Sequence, residues 1–282
     1  YTEVCAACHS MKYLSYRNLA EKGGPEFTEE QAKAIAASFE VVDGPNSDGE
    51  MFMLKGLNLE LGEKIIFGDT VHNYRYADED HKKFDPIEHS WFRDKLEESL
   101  LFEKDNYYKG IIVGKESLDL QEAQFKILNK SKSDIGDDKH FTFADLFVNG
   151  NYPYFLEHLL PYFFNYEVVM ICNENANFTK MPFKVKKDFR VGYNCFINNY
   201  DTIEKIKKWI DKHNIENHLF LFSASALSET AIHQLYKHND KNTYLDIGTC
   251  LNIFMNITID RNYLRGFWLN SGEPDIRRIN EW

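Results

Sequence analysis

The chain has 282 residues, 43% apolar and 27% charged, with a formal net charge of −11. That length allows one large domain or two small ones, and aromatic residues at 15% supply bulk for a core. The negative balance makes nucleic acid a poor default partner, because such a chain gains no overall release of counterions. Lys180 to Arg190 is the one locally basic stretch, and it reads as a solvated turn. No apolar run reaches the roughly 18–20 residues of a membrane span. The chain does not open on Met, so a native start, with any signal peptide, is expected to be missing.

In chain order, residues 1–52 read differently from the rest. They hold Cys5-Ala6-Ala7-Cys8-His9 and a turn at Gly23-Gly24-Pro25. A short helix follows behind the capping pattern Thr28-Glu29-Glu30-Gln31, and Asp43-Gly44-Pro45-Asn46-Ser47 ends it. From Met53 the chain becomes rich in Asn, Lys, Phe, Tyr and Ile, and its elements alternate. A helix is expected from Pro86 to Phe102 on the stripe Ile87, Trp91, Leu96 and Leu100. A strand follows at Tyr108 to Val113, then helices at Leu118 to Leu128 and Tyr152 to Phe163. Val168 to Cys172 reads as a buried strand and Thr202 to His213 as an amphipathic helix. Leu219 to Phe222 is a strand, Glu229 to Lys237 a helix and Thr243 to Ile247 a strand. Short apolar strands alternating with helices indicate an α/β fold, a mainly parallel sheet with helices on both faces. The expected organisation is a small irregular or helical segment at 1–52 and an α/β domain at 53–282.

Cys-x-x-Cys-His suits covalent haem, since two thiols can add to the two vinyl groups and the imidazole can ligate the iron. No second Cys/His pair at finger spacing supports zinc. Cys172, Cys195 and Cys250 sit in apolar surroundings and read as reduced core thiols. The ten histidines form no ligand cluster, and His233 and His238 read as structural. No Gly-x-Ser-x-Gly elbow and no Walker-type or dinucleotide phosphate loop is present.

Tyr1 to Tyr13, with Arg17-Asn18-Leu19, Gly23-Gly24-Pro25, Asp43-Gly44-Pro45 and Asp48-Gly49-Glu50-Met51-Phe52, resembles cytochrome c1 of the bc1 complex. That resemblance implies haem c on Cys5 and Cys8 with His9 as an iron ligand, a place on the periplasmic face of the inner membrane, and bc1 subunits as partners. The family's later segments, its distal methionine and its membrane anchor have no counterpart here. About 50 residues are also too few to bury a haem.

The strand Leu219 to Phe222, the loop Ser223-Ala224-Ser225-Ala226, the helix after it and Asn242 to Gly248 resemble GT-D-type glycosyltransferases over roughly 48–265. Asn149-Gly150-Asn151-Tyr152 and Cys172 to Ala176 resemble members that act on surface polysaccharides. The resemblance implies a Rossmann-like fold in the cytoplasm, a nucleotide-sugar donor and a glycan or lipid-linked acceptor. It also implies Mn²⁺ or Mg²⁺ on Asp48 and Glu50, with Glu50 and Asp246 as catalytic residues and Ser223 and Ser225 at the nucleotide or phosphate. The family's loop has Gly-Pro where this chain has Ser225-Ala226, and Asn46 stands where the family has Arg, departures that leave a catalytically inactive nucleotide-binding module as the alternative. Asp48 and Glu50 could equally lie on a solvated turn, the serines could cap a helix, and Asp246 could be a general base, a ribose contact, a second metal ligand or a buried structural residue. Arg261, Tyr263 and Arg265 suit phosphate or acceptor binding, or surface ion pairs. The word Asp48-Gly49-Glu50 fits both families, which implies a chimeric reading frame joined there.

Overall fold

The structure is a computed structural model. It describes residues 58–60, 64–67, 70–73, 88–111, 124–125, 127–144, 146–257, 259 and 261–269. Cys5, Cys8, His9, Asp48 and Glu50, the helix expected after Thr28, and the boundary at 52 lie outside the described residues.

Three short strands open the described chain: β1 (Asn58–Glu60), β2 (Lys64–Phe67) and β3 (Thr70–Asn73). They form their own antiparallel sheet in the order β1-β2-β3 and do not join the parallel one. Phe67 pairs with Thr70 at the end of the β2–β3 ladder. Helix α1 (Ser90–Leu101) follows. Its buried face is Phe92, Leu96, Ser99 and Leu100, spaced at i, i+4, i+7 and i+8. Trp91 was expected in that stripe. It is 40% exposed instead, its ring edge-on to Tyr200 at 4.8 Å, because a one-residue offset turns the side chain about 100° away. Strand β4 (Lys109–Ile111) pairs in parallel with β5 (Phe141–Phe143), and between them lies α2 (Lys132–Asp137), capped by Ser131 and Asp134.

The main sheet has four strands: β6 (Glu167–Asn173), β7 (Val185–Val191), β8 (His218–Phe222) and β9 (Thr243–Asp246). All its pairings are parallel, in the order β7-β6-β8-β9. α3 (Thr202–His213) connects β7 to β8, and α4 (Leu227–His238) connects β8 to β9. α5 (Asn262–Leu269) closes the described chain.

Side chains alternate across the sheet, as a period of two demands. Val169, Ile171, Phe220 and Phe222 face a core with α1, α3 and α4. Val168, Met170, Cys172, Leu219 and Leu221 face the opposite way. They meet Tyr152, Phe155, Leu160 and Phe163, the turns around Cys250 to Met255, and α5. Both faces are therefore covered. Tyr152 to Phe163, expected as one α-helix, lies within a chain of short 3₁₀, α and π turns over 149–165, with the π turn at Phe155–Leu159. Pro153 and Pro161 lack the N–H that a continuous α-helical ladder needs. Of the stretch Lys180 to Arg190, read as a solvated basic turn, residues 185–190 lie in strand β7, an edge of the sheet, and α5 had no counterpart among the expected elements.

Candidate functional site at the carboxyl edge of the sheet

In the order β7-β6-β8-β9 the chain leaves β6 toward one side and later returns on the other, as β8. The connections after β6 and after β8 diverge at the carboxyl ends, the topological switch point at which the ligand crevice of open α/β sheets lies. The residues at this edge follow from strand register. Ser223 N–H donates to Ile171 O at 2.8 Å, one step past the Ile171–Phe222 pair. Phe222 pairs with Asp246, and Ile247 N–H donates to Phe222 O at 2.9 Å. Glu174 N–H donates to Val191 O at 2.9 Å. The fold thus brings Ser223 and Asp246 onto adjacent strand ends, with Ser225 in the loop above them.

The loop Ser223–Ala226 is specialised. Ser225 has φ 52, in the left-handed region. Eight non-glycine residues among those described have positive φ; seven are asparagines, whose short amide tolerates this region, and Ser225 is the exception. Its Oγ is buried without a hydrogen-bond partner. A left-handed serine costs about 1 kcal/mol or more, and an unpaired buried hydroxyl about 1–3 kcal/mol. Neither serine caps α4. The residue at its cap is Ala226, with no side-chain hydrogen bond, while Ser228 Oγ accepts from Ala224 N–H at 3.3 Å. The cap role that the sequence left open for Ser223 and Ser225 is absent, and the amino end of α4 faces the crevice with its dipole uncapped by a side chain.

Asp246 Oδ1 accepts the Gly248 N–H at 2.9 Å, and Gly248 itself has φ 51. This turn holds the carboxylate at the end of β9. Asp246 is half-buried. On the other side, Cys195 Sγ donates to Ala224 O at 3.0 Å. That bond carries the loop after β7 across the end of β6 to the loop after β8, and closes the crevice toward α1, α3 and α4. Glu174 lies against Gly192, where an added Cβ would stand 3.3 Å from its Oε1.

The remaining expected residues separate. Tyr263 is buried, and its hydroxyl shares a 2.7 Å hydrogen bond with Thr249, so it supports the Asp246 loop from below and offers no surface to an acceptor. Burial pushes its phenol well above the ordinary value. Arg265 is exposed and Arg261 half-buried, both near this loop in sequence. Cys172, Cys195 and Cys250 are buried free thiols, and burial pushes Cys172 up to about 12 and Cys250 well up. They are poor nucleophiles. His233 is buried on α4 and His238 pairs with Asp211 at 2.8 Å, both away from the crevice. Asn173 and Glu174 at the end of β6 carried no role of their own in the sequence reading. Only the strand order puts them beside Ser223.

Among the described residues, no group of three or more His, Cys, Asp or Glu side chains comes together to hold a metal ion. Asp48 and Glu50, the expected ligands of Mn²⁺ or Mg²⁺, lie outside the described residues. No helix among the described residues is long and apolar enough to cross a membrane.

Comparison with known proteins speaks to the other end of the chain. The profile of the Cytochrome C1 family matches residues 1–61. The amino-terminal segment is cytochrome c1-like. That match includes Cys5, Cys8 and His9 and runs past position 52, where the resemblance was expected to stop, to the residue after β1. Cytochrome c1 2, heme protein, mitochondrial, of Arabidopsis thaliana is 59% identical over 56 residues, 20% of this chain and 17% of that protein. Cytochrome c1 of Cereibacter sphaeroides is 58% identical over 43 residues, 15% of each chain. Cytochrome b/c1 of Bradyrhizobium diazoefficiens is 48% identical over 56 residues, 20% of this chain and 8% of that protein. The chain thus spans a fifth or less of the length of these relatives. No solved structure matches.

Proposed function

We propose that the α/β body is a glycosyltransferase that binds a nucleotide-sugar donor in the crevice between the carboxyl ends of β6 and β8. The observation that carries this reading is Ser225: left-handed, its hydroxyl buried and unpaired, beside a helix start with no side-chain cap. A diphosphate oxygen would give that hydroxyl its missing partner and meet the amino end of α4. The left-handed backbone also bears on the GT-D resemblance, because glycine is at home at that φ and the family has glycine where this chain has Ser225. Asp246 would take the proton of the acceptor hydroxyl as its oxygen attacks the anomeric carbon. The bond from that carbon to the diphosphate would then break, and the electron pair would leave on the diphosphate. Ser223, Ser225 and the helix dipole would stabilise that leaving charge. Asp48 and Glu50 would hold Mn²⁺ or Mg²⁺, which would neutralise charge on the diphosphate. The acceptor would be a glycan or its lipid-linked precursor, met in the cytoplasm.

The test is calorimetric titration of the full chain with a panel of nucleotide sugars, with and without EDTA. Asp246→Asn should spare donor binding and lower transfer by roughly 10²–10³. Ser225→Gly keeps the backbone and removes the hydroxyl, and should weaken donor binding about tenfold, the equivalent of one hydrogen bond of ~1.4 kcal/mol. Binding of no nucleotide sugar would overturn the reading. Unaltered binding in Ser225→Gly would reject this site.

A second reading is favoured by the family match over residues 1–61. Cys5 and Cys8 would hold haem c through two thioethers, with His9 on the iron. Such a group supplies one-electron chemistry, and bc1 subunits would be the partners. Export with a haem-maturation system should give a covalently haem-stained chain, and Cys5→Ala with Cys8→Ala should abolish the stain. Haem attachment belongs to the periplasmic side and nucleotide sugars to the cytoplasm, so one location cannot serve both readings.

A further inference from the structure

We infer that the surface formed by the end of the irregular helical segment and the start of β7 docks on an anionic lipid bilayer. Three rings within five residues stand in solvent: Tyr162 at 65% exposure, Phe164 at 52% and Tyr166 at 48%. Four residues apart is at most ~14 Å of chain, so they form one patch. The basic stretch before and within β7 lies against it. Phe183 packs on Phe163 and Phe164, with ring centroids 6.0 and 6.3 Å away, and Lys186 Nζ reaches Glu167 Oε2 at 3.0 Å. Lys180, Lys184 and Lys186 are exposed around these contacts. Glu167 is paired with Lys186, and Asp188 on β7 with Arg190. The patch is thus locally cationic on a chain of net charge −11.

The chemistry selects the partner. Lysines at an edge strand also guard it against pairing with another chain. Guarding needs no exposed phenyl ring beside them. A half-exposed Phe gains by entering an apolar medium, and two tyrosines beside it carry the polar tip that suits the headgroup level. Lysines stay at the surface of such a layer and attract its anionic lipids. A single-stranded RNA would also meet rings and cations, but bases stack on faces and gain less from a buried phenyl than acyl chains do. This inference is independent of nucleotide-sugar binding at the crevice.

The test is flotation of the full chain with vesicles of phosphatidylcholine alone, or of phosphatidylcholine mixed with phosphatidylserine. Binding is expected to the mixed vesicles and to fall at raised salt. Lys184→Glu with Lys186→Glu should cut it tenfold or more, since each lysine near the surface contributes about fivefold. Tyr162→Ser with Phe164→Ser should reduce it at every salt concentration; both positions are exposed, and an unchanged thermal midpoint shows that the fold is kept. Equal binding to both vesicle types, no binding to either, or binding unchanged in both double variants would overturn the inference. So would retention by single-stranded RNA that the same lysine substitutions abolish while the vesicles bind nothing.

Discussion

Over Val169, Ile171, Phe220 and Phe222 the sheet is covered by three regular helices, α1, α3 and α4. Over Val168, Met170, Leu219 and Leu221 it is covered by 3₁₀ and π turns, a loop and the short α5. Both coverings bury Val168 to Cys172 of β6 and the whole of β8, so a sheet face needs apolar volume more than it needs a continuous helix. The difference shows on the outside. The helical layer turns a charged face to water, with Lys207–Glu204 and Lys205–Asp201 along α3. The irregular layer leaves Tyr154, Tyr162, Phe164 and Tyr166 exposed, because turns of mixed pitch cannot keep every ring on one side.

The largest expected effect that tests this contrast uses two neighbours on β6. Ile171→Ala and Met170→Ala each remove a buried side chain, from opposite faces, and each should cost about 2–5 kcal/mol. Ile171 should lie nearer the upper end, since interlocked helices collapse less readily into a cavity than turns do. Denaturant midpoints decide it, and a larger loss for Met170→Ala would remove the contrast.

The next effect is pH dependence, confined to the helical layer. His233 is 1% exposed, its ring 4.8 Å from Phe102 and 6.2 Å from Tyr107. Burial holds its imidazole below the ordinary 6.5; the carboxylate of Glu98 opposes this, and Lys237 and Lys95 reinforce it. Below 6.5 the unfolded chain therefore binds more protons than the folded one. Stability from neutral His233 is present above that pH and drains as pH falls beneath it, by at most ~1.4 kcal/mol per pH unit. His233→Gln should flatten the slope of unfolding free energy between neutral pH and mild acid, measured by urea titration.

The smallest effects compare one hydroxyl in each layer. Trp268 Nε1 donates to Tyr152 OH at 3.0 Å in the irregular layer, and Gln234 Nε2 donates to Tyr200 OH at 2.6 Å in the helical one. Tyr152→Phe and Tyr200→Phe should each cost about 0.5–1.5 kcal/mol. Tyr152 is the more buried, so its loss should be the larger, as thermal midpoints would record.

The same contrast explains what could be read from sequence. β8 is buried on both faces, so His218 to Phe222 is a continuous apolar run apart from its first residue, and it announces a strand. β7 is an edge, and Val185 to Val191 mixes two lysines, Asp188 and Arg190 with three apolar residues; nothing in that composition separates it from a solvated turn. α3 was legible to the residue because Ile203, Ile206 and Ile210 repeat at helical spacing. Pro153 and Pro161 were the visible sign that 149–165 would break its ladder, and they were outweighed by its apolar content. At the candidate site, Ser223, Ser225 and Asp246 could be picked from strand ends followed by small residues. Their adjacency to Asn173 and Glu174 could not, because strand order is a long-range property that no local pattern encodes. The unpaired hydroxyl of Ser225 is a fact of packing alone.

The seven left-handed asparagines have a consequence for the denatured chain. Asn106, Asn129, Asn149, Asn194, Asn214, Asn217 and Asn256 stand at connections where glycine is the usual choice. A glycine at each would give the denatured ensemble more backbone freedom to lose on folding, about 0.4–1 kcal/mol per position by analogy with glycine-to-alanine exchanges at unstrained sites. Asparagine reaches the same φ with a side chain that narrows the ensemble beforehand. Seven such positions, spread from Asn106 to Asn256, restrict the search for the fold along most of the body, before any strand has found its neighbour.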